Sequence, residues 1–308
     1  MKKILTYSVI VIVGLVGLMA LLPEETAKLA VNAERSRSGL DHKTVVIGDE
    51  TWHYLEGGPE EAEVVLLLHG FGGDKDNWTR FSNHITGSYR VIAPDLPGFG
   101  ESAQHPDWDY SLPPQRSRVN GFVQALGLEQ FHVVGNSMGG HLAALYGHKY
   151  PGQVLSMALF NNSGVDAPDE SDLLRALAKG ENPLVVDSLE DFDELIAFVA
   201  YKQPFVPWPV KGVFAQRALE RAGFNLFIFE FLKNDRSSVL EPLLADIENP
   251  VLILWGEYDR TLDVSSIEVM RPLLPQAEIV IMKDTGHVPM IERPAETAAH
   301  YLAFVDEH

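Results

Sequence analysis

Short apolar runs alternate along the chain with segments that have helical spacing. Residues 64–68, 90–93, 131–134, 154–160, 251–255 and 279–282 read as buried strands. Residues 77–85, 114–126, 138–150, 264–273 and 294–305 read as helices. Strands separated by helices form βαβ units, so a parallel sheet covered on both faces is expected. Upstream, residues 44–47 and 51–55 flank Gly48-Asp49-Glu50, as in a hairpin that extends the sheet antiparallel. Between Val165 and Asp246 the rhythm breaks, and helix-like segments rich in aromatics replace the strands. This stretch is expected to be a cap inserted between two strands.

The first segment differs from the rest. Behind Met1-Lys2-Lys3, residues 4–22 are almost continuously apolar and are stopped by Pro23-Glu24-Glu25. At 1.5 Å per helical residue they span roughly 28 Å, close to the hydrocarbon thickness of a bilayer. A cleaved secretory signal has a shorter apolar region followed promptly by small residues, whereas Leu21-Leu22-Pro23-Glu24 follows here. An uncleaved membrane anchor is therefore expected, with secretion after signal cleavage as the alternative. Lys2 and Lys3 place the bulk of the chain on the extracytoplasmic, periplasmic side by the positive-inside tendency, although Arg35 and Arg37 lie beyond the segment. Residues 23–41 are polar, lack a sustained apolar face and read as a tether. The expected organisation is a basic start (1–3), an anchor (4–22), the tether (23–41), an α/β core (42–164 and 247–308) and the cap (165–246).

Composition narrows the chemistry. The 308 residues are 46% hydrophobic and 22% charged, as in a globular protein. A net charge of -19 opposes phosphate backbones, so nucleic acid is not an expected partner. With no cysteine there is no disulfide, thiolate metal site or cysteine nucleophile. The histidines form no H-E-x-x-H pattern and no phosphate-cradling loop ends in Gly-Lys-Ser/Thr, so neither a metal nor another cofactor is expected.

Gly135-Asn136-Ser137-Met138-Gly139 fits G-x-S-x-G between a strand and an apolar helix. A sharp turn there exposes the serine hydroxyl, and the glycines permit the crowded backbone. A hydroxyl is a weak nucleophile until a base takes its proton. His287, in Thr285-Gly286-His287-Val288-Pro289, sits in a loop after the run 279–282 and comes last in the order Ser, acid, His; His300 falls in the final helix and His308 ends the chain. The acid that orients the imidazole must also follow a strand. Asp259 fits. Asp263 precedes a helix and suits an N-cap, Glu257 lies nearer the strand end, and Asp284 is too close to His287 in sequence. After the run 64–68, His69-Gly70-Phe71-Gly72-Gly73 stands where a backbone amide completes an oxyanion hole, with the N–H groups of Phe71 and Met138 as donors.

These blocks, with Pro94-Asp95-Leu96-Pro97-Gly98-Phe99-Gly100-Glu101-Ser102, resemble the α/β-hydrolase superfamily from about His42 onward. The resemblance implies a mostly parallel eight-stranded sheet flanked by helices, with an inserted helical cap. The apolar N-terminus, Gly135-Asn-Ser-Met-Gly-Gly140, Leu262-Asp263-Val264 and Glu292-Arg293-Pro294 are similar to membrane-anchored monoacylglycerol lipases and related bacterial lipases. That likeness implies hydrolysis of small-molecule or lipid carboxylic esters through an acyl-enzyme on Ser137. Carbon-carbon hydrolases of ring-fission products share the serine turn and the cap, and a non-catalytic binding protein could share the fold. Trp208 and Phe205, in a cap stretch where Pro204, Pro207 and Pro209 are expected to interrupt helix formation, and Val288 are the expected substrate contacts.

Overall fold

One sheet runs through the protein in the order β1-β2-β4-β3-β5-β6-β7-β8. Its strands are β1 (Leu40–Ile47), β2 (Glu50–Gly57), β3 (Val64–Leu68), β4 (Arg90–Pro94), β5 (Phe131–Asn136), β6 (Val154–Phe160), β7 (Val251–Gly256) and β8 (Glu278–Met282). The structure is a computed structural model and describes residues 17, 19–235 and 237–308. β1 and β2 form a hairpin closed by Gly48-Asp49, β2 runs antiparallel to β4, and the remaining neighbours are parallel. Every residue of β3, β5 and β7 is buried. Helices cover both faces of these strands, which is why β3 and β7 appear in sequence as unbroken apolar runs rather than alternating ones, while β5 admits His132 by bonding it to Ser156.

The longer helices are α1 (Pro23–Arg37), α2 (Leu112–Ala125), α3 (Met138–Lys149), α4 (Asp172–Ala178), α5 (Asp191–Val199), α6 (Trp208–Asn234), α7 (Ser266–Leu273) and α8 (Pro294–Val305). On one face of the sheet, Trp52 and Tyr54 meet Phe122 of α2. On the other, Trp78, Phe81, Phe160 and Tyr301 form an aromatic cluster. The helix expected over 77–85 starts earlier and breaks up. Asp74 accepts from the Asp76 N–H while Asn77 accepts from the Asp74 N–H, so a 3-10 turn, Lys75–Trp78, forms before a single helical turn, Thr79–Ser82.

Residues 23–41 are folded rather than a tether. Pro23 opens α1, Glu24 and Glu25 occupy its first turn and Arg35 and Arg37 its last, all favourable to the helix dipole. Its buried seam is small: Ala27, with Ala30 beside it, packs on Val210 and Val213 of α6. Ion pairs reinforce it, Glu24 to Arg217 at 2.7 Å, Glu34 to Arg80 at 2.9 Å and Arg35 to Asp76 at 2.6 Å. Of the expected anchor, residues 4–16 and 18 lie outside the described residues. Among the described residues no helix is long and apolar enough to cross a membrane.

Between β6 and β7 the chain passes through α4, α5 and the 27-residue α6. The prolines around Trp208 do not interrupt α6. Pro207 is its N-cap and Pro209 lies in its first turn, where a missing N–H leaves no bond unmade. Further along, Phe224, Phe227 and Phe231 surround Tyr110 at centroid distances of 5.5, 6.0 and 6.2 Å. Arg221 donates to the carbonyls of Gly98 and Gly100, each at 2.8 Å, and seats α6 on the loop after β4.

Candidate active site

Ser137 occupies the turn from β5 into α3 with φ 56 and ψ -119. A positive φ disfavours any side chain other than glycine and costs of order 1–3 kcal/mol, held here by the surrounding structure. The turn is too tight for bulk on either side. A Cβ on Gly135 would stand 2.1 Å from the Gly139 carbonyl oxygen, and one on Gly139 would stand 2.1 Å from the Leu68 carbonyl oxygen. Ser137 remains half-buried while its neighbours in sequence are buried, so the hydroxyl is presented at the carboxyl edge of the sheet.

His287 and Asp259 meet across the ends of β7 and β8. Asp259 Oδ2 lies 2.8 Å from His287 Nδ1. The carboxylate is fully buried and also accepts from Asn161 Nδ2 at 2.7 Å, Thr261 N at 2.8 Å and Leu262 N at 3.0 Å. Four bonds hold this buried anion and fix which imidazole nitrogen carries the proton. The competing acids are elsewhere: Asp263 accepts from Ser265 N, Glu257 is exposed, and Asp284 is exposed with Lys202 at 3.8 Å. Asn136, immediately before the serine, donates to the His287 carbonyl at 2.9 Å and brings the two loops together. Ser137 Oγ and His287 Nε2 share no hydrogen bond in this structure, and such contacts commonly tighten only on substrate binding.

The loop after β3 runs directly beside the serine: a Cβ on Gly70 would be 3.1 Å from Ser137 Cβ. Neither the Phe71 nor the Met138 N–H finds an acceptor among the described residues. Met138 is the first residue of α3, where N–H groups lack intrahelical partners and the helix dipole favours negative charge. The Phe71 ring is wedged edge-on against Phe99 at 5.9 Å and Phe229 of α6 at 5.4 Å.

Several residues at this site were not singled out in the sequence. His69 is buried, donates from Nδ1 to the Gly70 carbonyl at 2.8 Å and accepts the Leu96 N–H at Nε2 at 3.0 Å. Burial pushes its pKa down to about 4, so the ring is a neutral brace for the loop carrying Phe71. Below it, buried Lys75 pairs with Asp95 at 2.7 Å and Glu101 at 2.6 Å. His141, one turn after Ser137, donates from Nε2 to the Ser238 carbonyl at 2.5 Å and lies 3.3 Å from the Ser163 hydroxyl. One ring thus touches both the departing and returning ends of the segment between β6 and β7, and burial lowers its pKa to about 4. Glu292 accepts the N–H groups of Gly286 and Lys202, each at 2.9 Å, and its own pKa is raised by burial against those donors. In the sequence His69 and Glu292 stand inside conspicuous motifs but carry no role there, and Lys75 and His141 stand beside motifs.

Of the expected substrate contacts, Trp208 and Phe205 lie on exposed surface, while Val288 follows His287 directly. Trp208 is 70% exposed and lines a cleft of about 340 Å³ with Ala20, Pro23, Glu24 and Val213 on the outside of α6. Phe205 is 82% exposed, its carbonyl 3.5 Å from Arg80. Val288 is half-buried and packs on the core cluster of Phe81 and Tyr301. Phe229 of α6 reaches the serine's surroundings through Phe71.

Comparison with known proteins agrees with this architecture. A model of the alpha/beta hydrolase family matches residues 65–300. Lipase 1 of Psychrobacter immobilis is 37% identical over 285 residues, covering 92% of this chain and 90% of that protein. Monoacylglycerol lipase abhd6-A of Xenopus laevis is 30% identical over 278 residues, covering 86% of this chain and 82% of that protein. The crystal structure of a membrane phospholipase A, described as a bacterial virulence factor, superposes with a TM-score of 0.90 at 47% identity, covering 100% of this chain and 99% of that one.

Proposed function

The chain belongs to the alpha/beta hydrolase family, and from that premise we propose that it is a membrane-held carboxylic ester hydrolase acting on monoacylglycerol-like lipids. Ser137 Oγ attacks the ester carbonyl while His287 Nε2 takes the hydroxyl proton. Asp259, on Nδ1, holds the imidazole and stabilises the imidazolium. The Phe71 and Met138 N–H groups receive the developing oxyanion. Collapse expels the alcohol, which takes the proton from His287, and leaves an acyl group on Ser137. Water, deprotonated by the same histidine, then releases the carboxylic acid and restores the serine. The observation that carries this reading is the Asp259–His287 bond at 2.8 Å beside a serine held at φ 56.

Residues 165–246 act as a cap over this site, supported by the bond from His287 N to Val199 O at 2.8 Å and the Phe229–Phe71 contact. Residues 4–22 act as a membrane anchor with the catalytic part outside the cytoplasm. Their length and apolar character support this, as do Met19, Leu21 and Leu22, which emerge exposed where the chain enters the fold. The 47% identity to a membrane phospholipase A favours a second ester class, the phospholipids, over triacylglycerols. A fluorophosphonate probe is expected to label Ser137. A panel of monoacylglycerols, phospholipids, triacylglycerols, short esters and a ring-fission diketone tests the substrate class. Turnover confined to the diketone would sink the ester reading, and absence of both labelling and turnover would leave a binding protein.

A further inference from the structure

At the antiparallel end of the sheet two histidines meet a carboxylate. The register pairs His42 with Leu55 and Thr44 with His53, so His42 and His53 are diagonal neighbours on one face of the hairpin. Their rings stack with centroids 5.3 Å apart and an interplanar angle of 17°, and His42 Nε2 lies 3.2 Å from His53 Nδ1. Glu101, on the loop after β4, places Oε2 3.3 Å from His42 Nε2. A ligand atom from each of the three lies within 4.8 Å of the others.

These separations have a chemical meaning. Ligands at about 2.0–2.1 Å from a tetrahedral zinc ion stand about 3.3 Å from one another. Both measured edges match. Two imidazoles and one carboxylate are also the donor set that zinc and the late first-row ions accept, whereas calcium and magnesium require more oxygen ligands.

We propose that His42, His53 and Glu101 form a binding site for a divalent transition-metal ion, zinc above all, where the β1–β2 hairpin meets the loop after β4. Lys75 Nζ holds the same Glu101 Oε2 at 2.6 Å, so the oxygen that faces His42 is fixed in place by the lysine and would offer the ion its remaining lone pair. The same loop carries the Gly98 and Gly100 carbonyls that seat Arg221 of α6. A bound ion thereby stiffens the seat of the cap without touching the serine.

The test titrates the purified full-length chain with zinc chloride, by calorimetry and by thermal unfolding, and records the visible spectrum with cobalt(II). One ion per chain is expected, with a higher Tm and the ligand-field bands of a nitrogen-bound four- or five-coordinate cobalt ion. His42→Gln and His53→Gln should each weaken binding at least tenfold, whereas His148→Gln, at a remote pair with Asp246, should leave it unchanged. Two rings sharing a proton would also stand 3.2 Å apart. In that case the wild type shows no zinc binding and only the spectrum of aqueous cobalt, and the proposal is overturned. Equal zinc affinity in wild type and both histidine variants overturns it as well. The cobalt spectrum of the wild type keeps the test decisive if a variant fails to fold.

Discussion

The backbone N–H of His287 donates to the carbonyl of Val199 at 2.8 Å, so the loop carrying the imidazole is bonded to the last residue of α5. Two further links run alongside. Glu292 bridges the Gly286 and Lys202 amides, and Tyr201 stacks on Tyr258, the residue before Asp259, with centroids 4.5 Å apart. A displacement of residues 199–202 therefore pulls on His287 and Asp259 together, and the position of α5 and the alignment of the imidazole become one variable.

Glu292→Ala should show that coupling. It strands the part-buried Gly286 N–H, a loss of about 1–3 kcal/mol when a buried donor goes unpaired, and removes the acceptor of the exposed Lys202 N–H. Turnover is expected to fall roughly tenfold, with a lower Tm, and Glu292→Gln should fall between the two because one acceptor oxygen remains. An unchanged kcat in Glu292→Ala, measured on a short soluble ester, would show that the bridge does not position His287.

Ser137 combines chemistry with backbone strain. Ser137→Ala and Ser137→Gly should both lose several orders of magnitude in turnover. Only the glycine variant removes the Cβ that a φ of 56 disfavours, so it is expected to be the more stable of the two by about 1 kcal/mol. Chemical denaturation of the pair measures this directly; equal midpoints contradict it.

Asp259→Asn leaves the shape of the loop but offers His287 Nδ1 an amide, which favours the wrong tautomer, and a loss of about four orders of magnitude in kcat is expected by analogy with the serine protease triad. Asp263→Asn, which disturbs only the turn at Ser265, should stay within a few-fold of wild type. The reverse ranking in two folded variants would move the acid to Asp263.

His141 makes stability depend on pH. Its folded pKa of about 4 lies below the ordinary histidine value of 6.5, so the unfolded chain binds the extra proton first. Its contribution is fully present above pH 6.5 and is lost as pH falls towards 4, amounting to roughly 3 kcal/mol across that window. Buried His69 acts in the same direction. Asp74, pushed up to about 7 by burial and the nearby Asp76 and Asp95, acts in the opposite one. Both are common to wild type and His141→Gln, so the difference in Tm between the two should shrink steadily from pH 7 to 4.5. A difference independent of pH would rule out a buried neutral His141.

Features that depend on neighbours in sequence were legible in the sequence itself. β3, β6 and α8 have the bounds that their apolar patterns mark, because a run buried on both faces or a helix between Pro294 and the polar chain end carries its own limits. The serine turn was equally legible, since only glycine tolerates the approach of Gly135 to Gly139 and of Gly139 to Leu68. What needed the tertiary structure was every role assigned by a distant partner. Residues 23–37 look like a polar tether until Val210, Val213 and Arg217, some 180 residues on, supply a seam for alanines and a charge for Glu24. Pro209 looks like a breaker until the helix is seen to begin at Trp208. The roles of His141 and Glu292 as braces had no signal in the sequence, because their hydrogen bonds to Ser238 and Lys202 reach across the fold. Local propensity and burial period are written in consecutive residues; a hydrogen bond across 90 residues exists only once the chain has closed on itself.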